Sequence, residues 1–424
     1  MKRLLILIVL VLAGCGDREP EQTPNEVIKQ VNANGTITDP QAEMLSKIEG
    51  TLYLNGLTSI TDAQAEMLSK IEGTLYLNGL TYITDAQAES LSRIERLQLS
   101  DSCFEQILSY QQKILDKINV SGTIDDGQIT ILKSYKGGDL VLSGLRTITD
   151  NQIDALSEIP SLNLSGLVSI TDHQVEILSK LIGGGTLELN KLSSLTNRQA
   201  KLLGKVKHLE LNGLTSISDE QAQSLGEVRS LGLNGLTSIT DEQAKFLFKI
   251  NSLELNGLTT ITKLQAKLII TGPTVKLNSL TVISDEQAES LSNAINLQLN
   301  GLTSITDSQA ERLKKTKSQL QLNGLTNISD EQAESLSYLL SLELNGLTSI
   351  SDKQAEMLNQ VEMLSLDGLL TITDDQAEIL SKIRWLSLTG LTSITDLQVE
   401  NLSRVEQLII SEDLQPLIDK YKKQ

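Results

Sequence analysis

Residues 209–230 read LELNGLTSISDEQAQSLGEVRS, and close copies of this stretch recur along the chain every 22 residues or slightly more. One copy, LYLNGLTSITDAQAEMLSKIEGT, runs from Leu52 to Thr74. Further copies begin at Leu75, Leu231, Leu253, Val275, Leu297, Leu320, Leu342, Leu364 and Leu386. Counting degenerate units from Val31 to Leu408 gives about 18 coils. This periodicity predicts a solenoid, because one such unit cannot bury its apolar side without neighbours above and below.

Each position of the coil has its own structural reading. Leu209 and Leu211 flank an outward residue, which predicts a short strand. Asn212 and Gly213 then predict a turn in which glycine supplies a positive φ, and the stacked Asn amides are expected to hydrogen-bond along the solenoid. The stretch Ser218–Gln221 is the Ser-x-x-Gln of a capping box, so a short helix should follow it. The recurrent Gln and Asp residues are therefore structural.

The repeat resembles a known family. The apolar-x-x-Leu-x-Leu run is present in Val206–Leu211 and Ile383–Leu388, and an Ala such as Ala222 sits in the following helix. This spacing resembles the treponemal-type leucine-rich repeats of bacterial lipoproteins, although Leu214 stands where the general consensus has Asn or Cys. The resemblance covers about nine tenths of the chain. It implies an α/β repeat fold: a right-handed leucine-rich-repeat-like solenoid with a parallel β-sheet on the concave face and short helices on the convex face.

The chain begins MKRLLILIVLVLAGCG, with two basic residues and then an apolar stretch from Leu4 to Leu12. That stretch is shorter than the roughly 20 residues that span a bilayer, and it has the form of a secretory signal. Leu12-Ala13-Gly14 directly before Cys15 resembles the lipobox of bacterial lipoproteins, which implies that Cys15 is lipidated, for example with palmitate. Gly16 after the cysteine favours the outer membrane by analogy with Gram-negative sorting. The other interpretation is an ordinary signal peptide with a chance cysteine.

The sequence thus predicts four segments. They are a lipoprotein signal peptide at 1–14, a flexible tether at 15–26, the solenoid at 27–410, and a C-terminal cap with a basic tail at 411–424. Two coils, VNANGTITDPQ from Val31 and INVSGTIDDGQ from Ile118, share a shortened form. Between them, residues 100–117 lose the turn, which predicts a longer helix and a seam between two arrays.

Composition excludes several classes of function. The formal charge of −18, about −20 without Lys2 and Arg3, should repel nucleic acids and anionic membranes, so the membrane is contacted through the lipid alone. With Cys15 assigned to lipid, Cys103 has no disulfide partner and is either a buried small hydrophobe or a reactive thiol. No metal-ligand, nucleophile or phosphate-loop motif occurs. We therefore predict no catalytic residues, no metal, no cofactor and no enzymatic activity.

The middle residue of each strand should face outward on the concave sheet. These residues are Tyr53, Tyr76, Gln98, Asn119, Val141, Asn163, Glu188, Glu210, Gly232, Glu254, Lys276, Gln298, Gln321 and Glu343. Tyr53 and Tyr76 should lie about 5 Å apart, with Tyr82 near them, and form an aromatic patch for a protein or glycan ligand. The alternative is a cross-strand pair that only stabilises the sheet. Glu188 and Glu210 either share a divalent cation or form part of a solvated acidic face.

Two functions follow from these observations. The first is a lipid-anchored binding or adhesion protein of the cell envelope, on the surface or the periplasmic side of the outer membrane, which recognises a protein or glycan. The second is a structural envelope scaffold or spacer without a dedicated ligand. Varied strand-middle residues favour binding, whereas near-identical turns and caps favour the scaffold.

Overall fold

The computed structural model of the chain describes residues 22–135, 137–157, 159–181, 185–268 and 274–422. The predicted signal peptide, the predicted lipidation site Cys15 and the first part of the predicted tether lie outside the described residues. Within the described ranges, no helix is both long and apolar enough to cross a membrane.

Short helices and short strands alternate along the chain. The strands are β1 Gly50–Tyr53, β2 Gly73–Leu77, β3 Arg96–Leu99, β4 Leu140–Val141, β5 Leu162–Asn163, β6 Thr186–Glu188, β7 His208–Glu210, β8 Ser230–Gly232, β9 Ser252–Glu254, β10 Thr274–Lys276, β11 Asn296–Gln298, β12 Gln319–Gln321, β13 Ser341–Glu343, β14 Met363–Ser365, β15 Trp385–Leu388 and β16 Gln407–Ile410. The helices are α1 Pro24–Asn34, α2 Asp39–Leu45, α3 Asp62–Leu68, α4 Asp85–Leu91, α5 Asp101–Ser121, α6 Asp126–Leu132, α7 Asp150–Ala155, α8 Asp172–Leu181, α9 Asn197–Leu203, α10 Asp219–Leu225, α11 Asp241–Leu247, α12 Lys263–Leu268, α13 Asp285–Leu291, α14 Asp307–Leu313, α15 Asp330–Leu336, α16 Asp352–Leu358, α17 Asp374–Leu380, α18 Asp396–Leu402 and α19 Gln415–Lys422.

The strands form two parallel sheets in which neighbours in sequence are neighbours in space. One sheet has three strands in the order β1-β2-β3, and the other has thirteen in consecutive order from β4 to β16. The register pairs each repeat position with itself, as where Leu209 lies opposite Leu231 and Leu231 opposite Leu253. The predicted α/β solenoid, with parallel strands and short helices stacked coil upon coil, is confirmed.

One column of side chains per repeat position builds the core. Leu209, Leu211, Leu214, Ala222 and Leu225 of a single coil are all 1% exposed or less. Burying a leucine is worth about 1.5–3 kcal/mol, and the same positions are filled by Leu or Ala in the coils on either side. The small Ala lets each helix approach the next, so the coils stack without large aromatic side chains.

The predicted capping boxes are present, and their glutamines also hydrogen-bond to the preceding coil. Gln243 Oε1 accepts from the Thr240 amide at 2.9 Å, and the Gln243 amide donates to Thr240 Oγ1 at 3.1 Å. Gln243 Nε2 also donates to the Ile217 carbonyl of the preceding coil at 2.8 Å. A glutamate would cap the helix but has no proton to donate in this way, so the bridge between coils requires glutamine.

The asparagine ladder is confirmed, but the predicted role of the turn glycine is wrong. The Asn234 amide donates to Asn212 Oδ1 and the Asn256 amide to Asn234 Oδ1, both at 2.9 Å. Gly213 does not have a positive φ. A Cβ at this position would lie 2.5 Å from the Asn190 carbonyl oxygen and 2.7 Å from that of Leu192. Glycine is needed because adjacent turns approach more closely than a side chain allows.

The described residues form two compact units, one within residues 22–114 and 130–135 and the other within residues 115–129 and 137–422. We call residues 24–99 the N-terminal array and residues 140–410 the C-terminal array. The longer helix predicted for 100–117 is confirmed as α5, and the sheet is interrupted between β3 and β4. Cys103 in α5 is fully buried, in agreement with the small-hydrophobe interpretation.

Each array begins with a helix in place of a strand. The shortened coil at Ile118 is predicted to contain a strand with Asn119 in its middle, and this prediction is wrong because Asn119 lies in α5. Helices α1 and α5 end immediately before Gly35 and Gly122, which have φ of 74° and 75°. Neither segment before these glycines contains the Leu-x-Leu run that builds a strand.

Both of these helix ends nevertheless continue the asparagine ladder. Asn32 Nδ2 donates to the Tyr53 carbonyl at 2.9 Å, and the Gly56 amide donates to Asn32 Oδ1 at 2.7 Å. Asn119 makes the matching bonds, at 3.0 Å to the Val141 carbonyl and 2.8 Å from the Gly144 amide. The helices therefore act as N-terminal caps that satisfy the first turn of each array.

The boundaries of the solenoid differ slightly from those expected. Helix α1 begins at Pro24, inside the segment 15–26 assigned to the tether. The reason is a capping box, in which the Thr23 amide donates to Glu26 Oε2 at 2.8 Å and proline occupies the first helical turn. At the other end, α19 forms the helix expected within 411–424.

Candidate functional site

The predicted tyrosine pair lies on the outward face of the N-terminal sheet. Tyr53 and Tyr76 occupy matching positions of β1 and β2, between leucines that are buried. Their rings stack with centroids 4.6 Å apart and an interplanar angle of 24°. Tyr53 is 53% exposed, so the pair is accessible to a ligand. This is the only stacked pair within the described ranges.

Tyr82 does not join this stack. It lies in the segment between β2 and α4, is 67% exposed, and has no ring contact with Tyr53 or Tyr76. The structure therefore brings together two of the three predicted site residues.

A cavity of about 610 Å³ lies beside Tyr76, at the last strand of the N-terminal sheet. Arg96 and Gln98 of β3 line it, together with Asp101 and Phe104 from the first turn of α5. Gln98 is the register partner of Tyr76, so the third strand places an amide where the first two place a ring. Phe104 is 36% exposed. The cavity thus has an aromatic side chain from the sheet and another from the helix.

Three polar side chains of this cavity have no partner among the described residues. Arg96, Gln98 and Asp101 make no side-chain hydrogen bond or ion pair there, whereas the neighbouring Glu95 pairs with Lys133 at 3.0 Å. Arg96 and Gln98 can donate hydrogen bonds, and Gln98 and Asp101 can accept them. The tyrosine stack supplies apolar faces, and these three side chains supply polar edges beside it. A small binding site combines the two in this way.

Sequence reasoning found the tyrosines but missed Arg96, Asp101 and Phe104. An aromatic residue in the first turn of the irregular segment after β3 was a usable signal. It was not recognised because residues 100–117 were interpreted as a seam between arrays rather than as one wall of a site.

The outward face of the C-terminal array is organised differently, because its polar side chains bind one another. Glu343 Oε1 accepts from Gln319 Nε2 and from Gln321 Nε2, both at 2.8 Å. Lys276 forms an ion pair with Glu254 of the adjacent strand. These bonds run from strand to strand and leave few groups of this face without a partner.

Glu188 and Glu210 are also held by amides. Asn163 Nδ2 donates to Glu188 Oε2 at 2.7 Å, and Asn212 Nδ2 donates to Glu210 Oε2 at 2.8 Å. Burial raises the pKa of Glu210, and the nearby carboxylates add to this effect. In the described part of the chain, no three His, Cys, Asp or Glu side chains are placed to hold a metal ion together.

A second exposed apolar surface lies on the C-terminal array. Tyr338, Leu340 and Met363 are exposed beside a cavity of about 680 Å³. Lys314 Nζ lies 5.0 Å from the centroid of the Tyr338 ring, and Glu362 of the cavity lining pairs with Arg384 at 2.8 Å. The cavity beside Tyr76 is the better candidate, because it adjoins the stacked tyrosine pair.

No protein-family model matches the chain, and no curated protein sequence matches it significantly. Among solved structures, an internalin (InlF) from Listeria monocytogenes aligns with 18% identity over 70% of this chain and 88% of its own, with a TM-score of 0.40. The leucine-rich repeat-containing protein LegL7 from Legionella pneumophila aligns with 16% identity over 59% of this chain and 94% of its own, with a TM-score of 0.41. These similarities concern the fold alone.

Proposed function

We propose that this protein is a lipid-anchored binding protein of the cell envelope, which recognises a protein or glycan through the outward face of its N-terminal array. The observation that carries the proposal is the exposed Tyr53–Tyr76 stack beside three polar side chains without partners. Arg96, Gln98 and Asp101 are exposed, so their polar groups are open to a ligand, whereas polar side chains on the outward face of the C-terminal array bind one another.

The lipid anchor is part of the proposal and rests on the sequence around Cys15. Metabolic labelling with a palmitate analogue should label the wild-type chain and not the Cys15→Ser variant. The Cys103→Ser variant is the matched control and should be labelled like the wild type. Equal labelling of wild type and Cys15→Ser would remove the anchor from the proposal.

The envelope location is tested by protease treatment of intact cells, with antibody detection of the chain and a periplasmic protein as control. Removal of the chain while the control survives supports a role in adhesion at the outer surface. Protection until the outer barrier is broken would exclude adhesion and restrict the ligand to the periplasm.

The binding surface is tested with the full-length protein in detergent on arrays of glycans and of extracellular proteins. We expect a Tyr53→Ala/Tyr76→Ala variant to lose at least about tenfold in affinity, since aromatic anchors dominate binding energy. Tyr338→Ala, at the other exposed apolar surface, is the matched control and should bind normally. If Tyr338→Ala loses binding while Tyr53→Ala/Tyr76→Ala binds normally, the N-terminal site is refuted.

The scaffold function is the second candidate, and one observation favours it for the C-terminal array. The strand-to-strand bonds of Glu343, Gln319 and Gln321 satisfy polar groups of that face without a ligand. A spacer needs no more than this. If no ligand is found and deletion of the gene alters envelope integrity, the scaffold replaces the binding function.

A further inference from the structure

We propose that the cavity beside Tyr76 is a subsite for one pyranose ring of a glycan, which stacks on the face of Tyr76 that Tyr53 does not cover. This inference rests on the proposed binding function and names its ligand class. It is carried by the order of side chains across three strands and by the polar groups around the cavity.

The outward positions of the three N-terminal strands carry aromatic rings on the first two strands but not on the third. Tyr53 and Tyr76 fill two successive positions, and Gln98 fills the third. Adjacent strands are about 4.8 Å apart, which is close to the stacking distance of rings. The cavity lies at this third position, and the shorter Gln98 leaves open the space that a tyrosine ring would occupy.

The first turn of α5 contributes to the lining of the cavity. Phe104 supplies an apolar wall there, so a ring that enters is flanked by Tyr76 and Phe104. Both residues belong to the same compact unit of the chain. The lining therefore offers aromatic side chains from both the sheet and the helix to the apolar faces of a ligand.

The polar groups at the rim select a sugar over an aromatic side chain. Arg96, Gln98 and Asp101 line the cavity, have no side-chain partner among the described residues, and supply both donors and acceptors. A pyranose ring has hydroxyls on its edges and C–H groups on its faces, which matches this arrangement. A phenyl ring would cover these groups without giving them hydrogen bonds, which is unfavourable.

Saturation-transfer NMR tests the inference, with methyl glycosides of common hexoses and N-acetylhexosamines as probes. The full-length protein is kept in a detergent without a sugar headgroup. At least one glycoside is expected to receive saturation at its ring protons, and Tyr76→Ala should weaken its binding at least about tenfold. Asp101→Asn should weaken it less, because the amide still accepts a hydrogen bond.

The decisive variant fills the cavity with a larger side chain, whereas Tyr76→Ala removes part of its lining. Gln98→Tyr continues the existing stack and should abolish glycoside binding in a folded protein. Gln298→Tyr places the same change at the equivalent position of β11 and should leave binding intact. Circular dichroism of both variants verifies that the solenoid is unchanged.

The outcomes separate this inference from the proposed function. Glycoside binding that survives Gln98→Tyr overturns the subsite. If no glycoside binds, but a purified protein ligand binds and is lost with Tyr53→Ala/Tyr76→Ala, the sugar subsite is wrong and the binding function stands. If no ligand of either kind depends on these tyrosines, both are wrong.

Discussion

The two arrays share one coil design but present opposite kinds of outward face. In the N-terminal array, two tyrosines stack beside exposed polar groups that bind no other side chain in the described part of the protein. In the C-terminal array, carboxylates, amides and lysines bind each other across the strands. The difference shows that the leucines, asparagines and capping glutamines determine the fold, whereas the outward strand residues determine whether a face is available to a ligand.

The largest expected loss of stability comes from disturbing the contact between each N-terminal cap helix and the first turn of its array. A Cβ at Gly56 would lie 2.6 Å from the carbonyl carbon of Asn32, and a Cβ at Gly144 would lie 2.5 Å from that of Asn119. Gly56→Ala and Gly144→Ala should each cost about 3 kcal/mol or more, since backbone atoms cannot move aside cheaply. Hydrogen exchange should rise in β1–β3 for the first variant and in β4–β6 for the second. A uniform rise along the whole chain would show that the arrays unfold as one unit.

The next effect concerns the glutamine bridges. Gln64 Nε2 donates to the Ile37 carbonyl and to Asp39 Oδ1, both at 2.9 Å, whereas Gln243 Nε2 donates to the Ile217 carbonyl. We expect Gln64→Glu to cost about 2–3 kcal/mol and Gln243→Glu about 1–2 kcal/mol, because Gln64 Nε2 donates directly to the Asp39 carboxylate as well as to a carbonyl, and a glutamate there would face that carboxylate. Urea unfolding measures both.

Gln41→Glu is the control for this pair. Gln41 caps α2, but its Nε2 donates to the exposed side chain of Gln30 at 3.2 Å and forms no bridge to a carbonyl of another coil. Its substitution should be nearly neutral. A cost equal to that of Gln243→Glu would mean that the cap itself, and not the bridge, explains the preference for glutamine.

A smaller effect separates packing from binding at the tyrosine pair. If Tyr53 and Tyr76 only stabilise the sheet, Tyr53→Ala should cost about 0.5–1.5 kcal/mol and change no binding. We expect a cost within this range together with the loss of ligand. Tyr338→Ala, which removes no stacked ring, should cost less. Unfolding and binding assays on the same samples distinguish the two roles.

The smallest effect concerns Glu210, whose pKa is raised by burial and by neighbouring carboxylates. A raised pKa means that the folded state favours the protonated form, so ionisation reduces stability as the pH rises through the folded value. Glu210→Gln should therefore stabilise the protein at pH 7 by less than about 1 kcal/mol, after screening of this partly exposed group. The gain should vanish below about pH 4, and thermal unfolding at both pH values checks this.

The fold was largely predictable because the same side-chain requirement is repeated in every coil. Leu209, Ala222 and Leu225 each mark a column of the core. A position that is misassigned in one degenerate coil can therefore be assigned correctly from the other coils. The N-terminal helices were not predicted at Val31 and Ile118, because these segments keep the turn residues while losing the strand. The site was predicted in part, since Tyr53 and Tyr76 are one repeat apart and must meet.

The repeat alone predicts the stacked coils, the capped helices and the tyrosine pair, because contacts between equivalent positions follow from periodicity. The remaining features arise from the packing of the folded chain. This packing brought Asp101 and Phe104 of α5 against β3, outside the repeat, and left Arg96 and Gln98 without side-chain partners among the described residues. It also assigned the turn glycines to close backbone approach and the glutamines to bridges. These features depend on distances between chain segments, which periodicity does not encode.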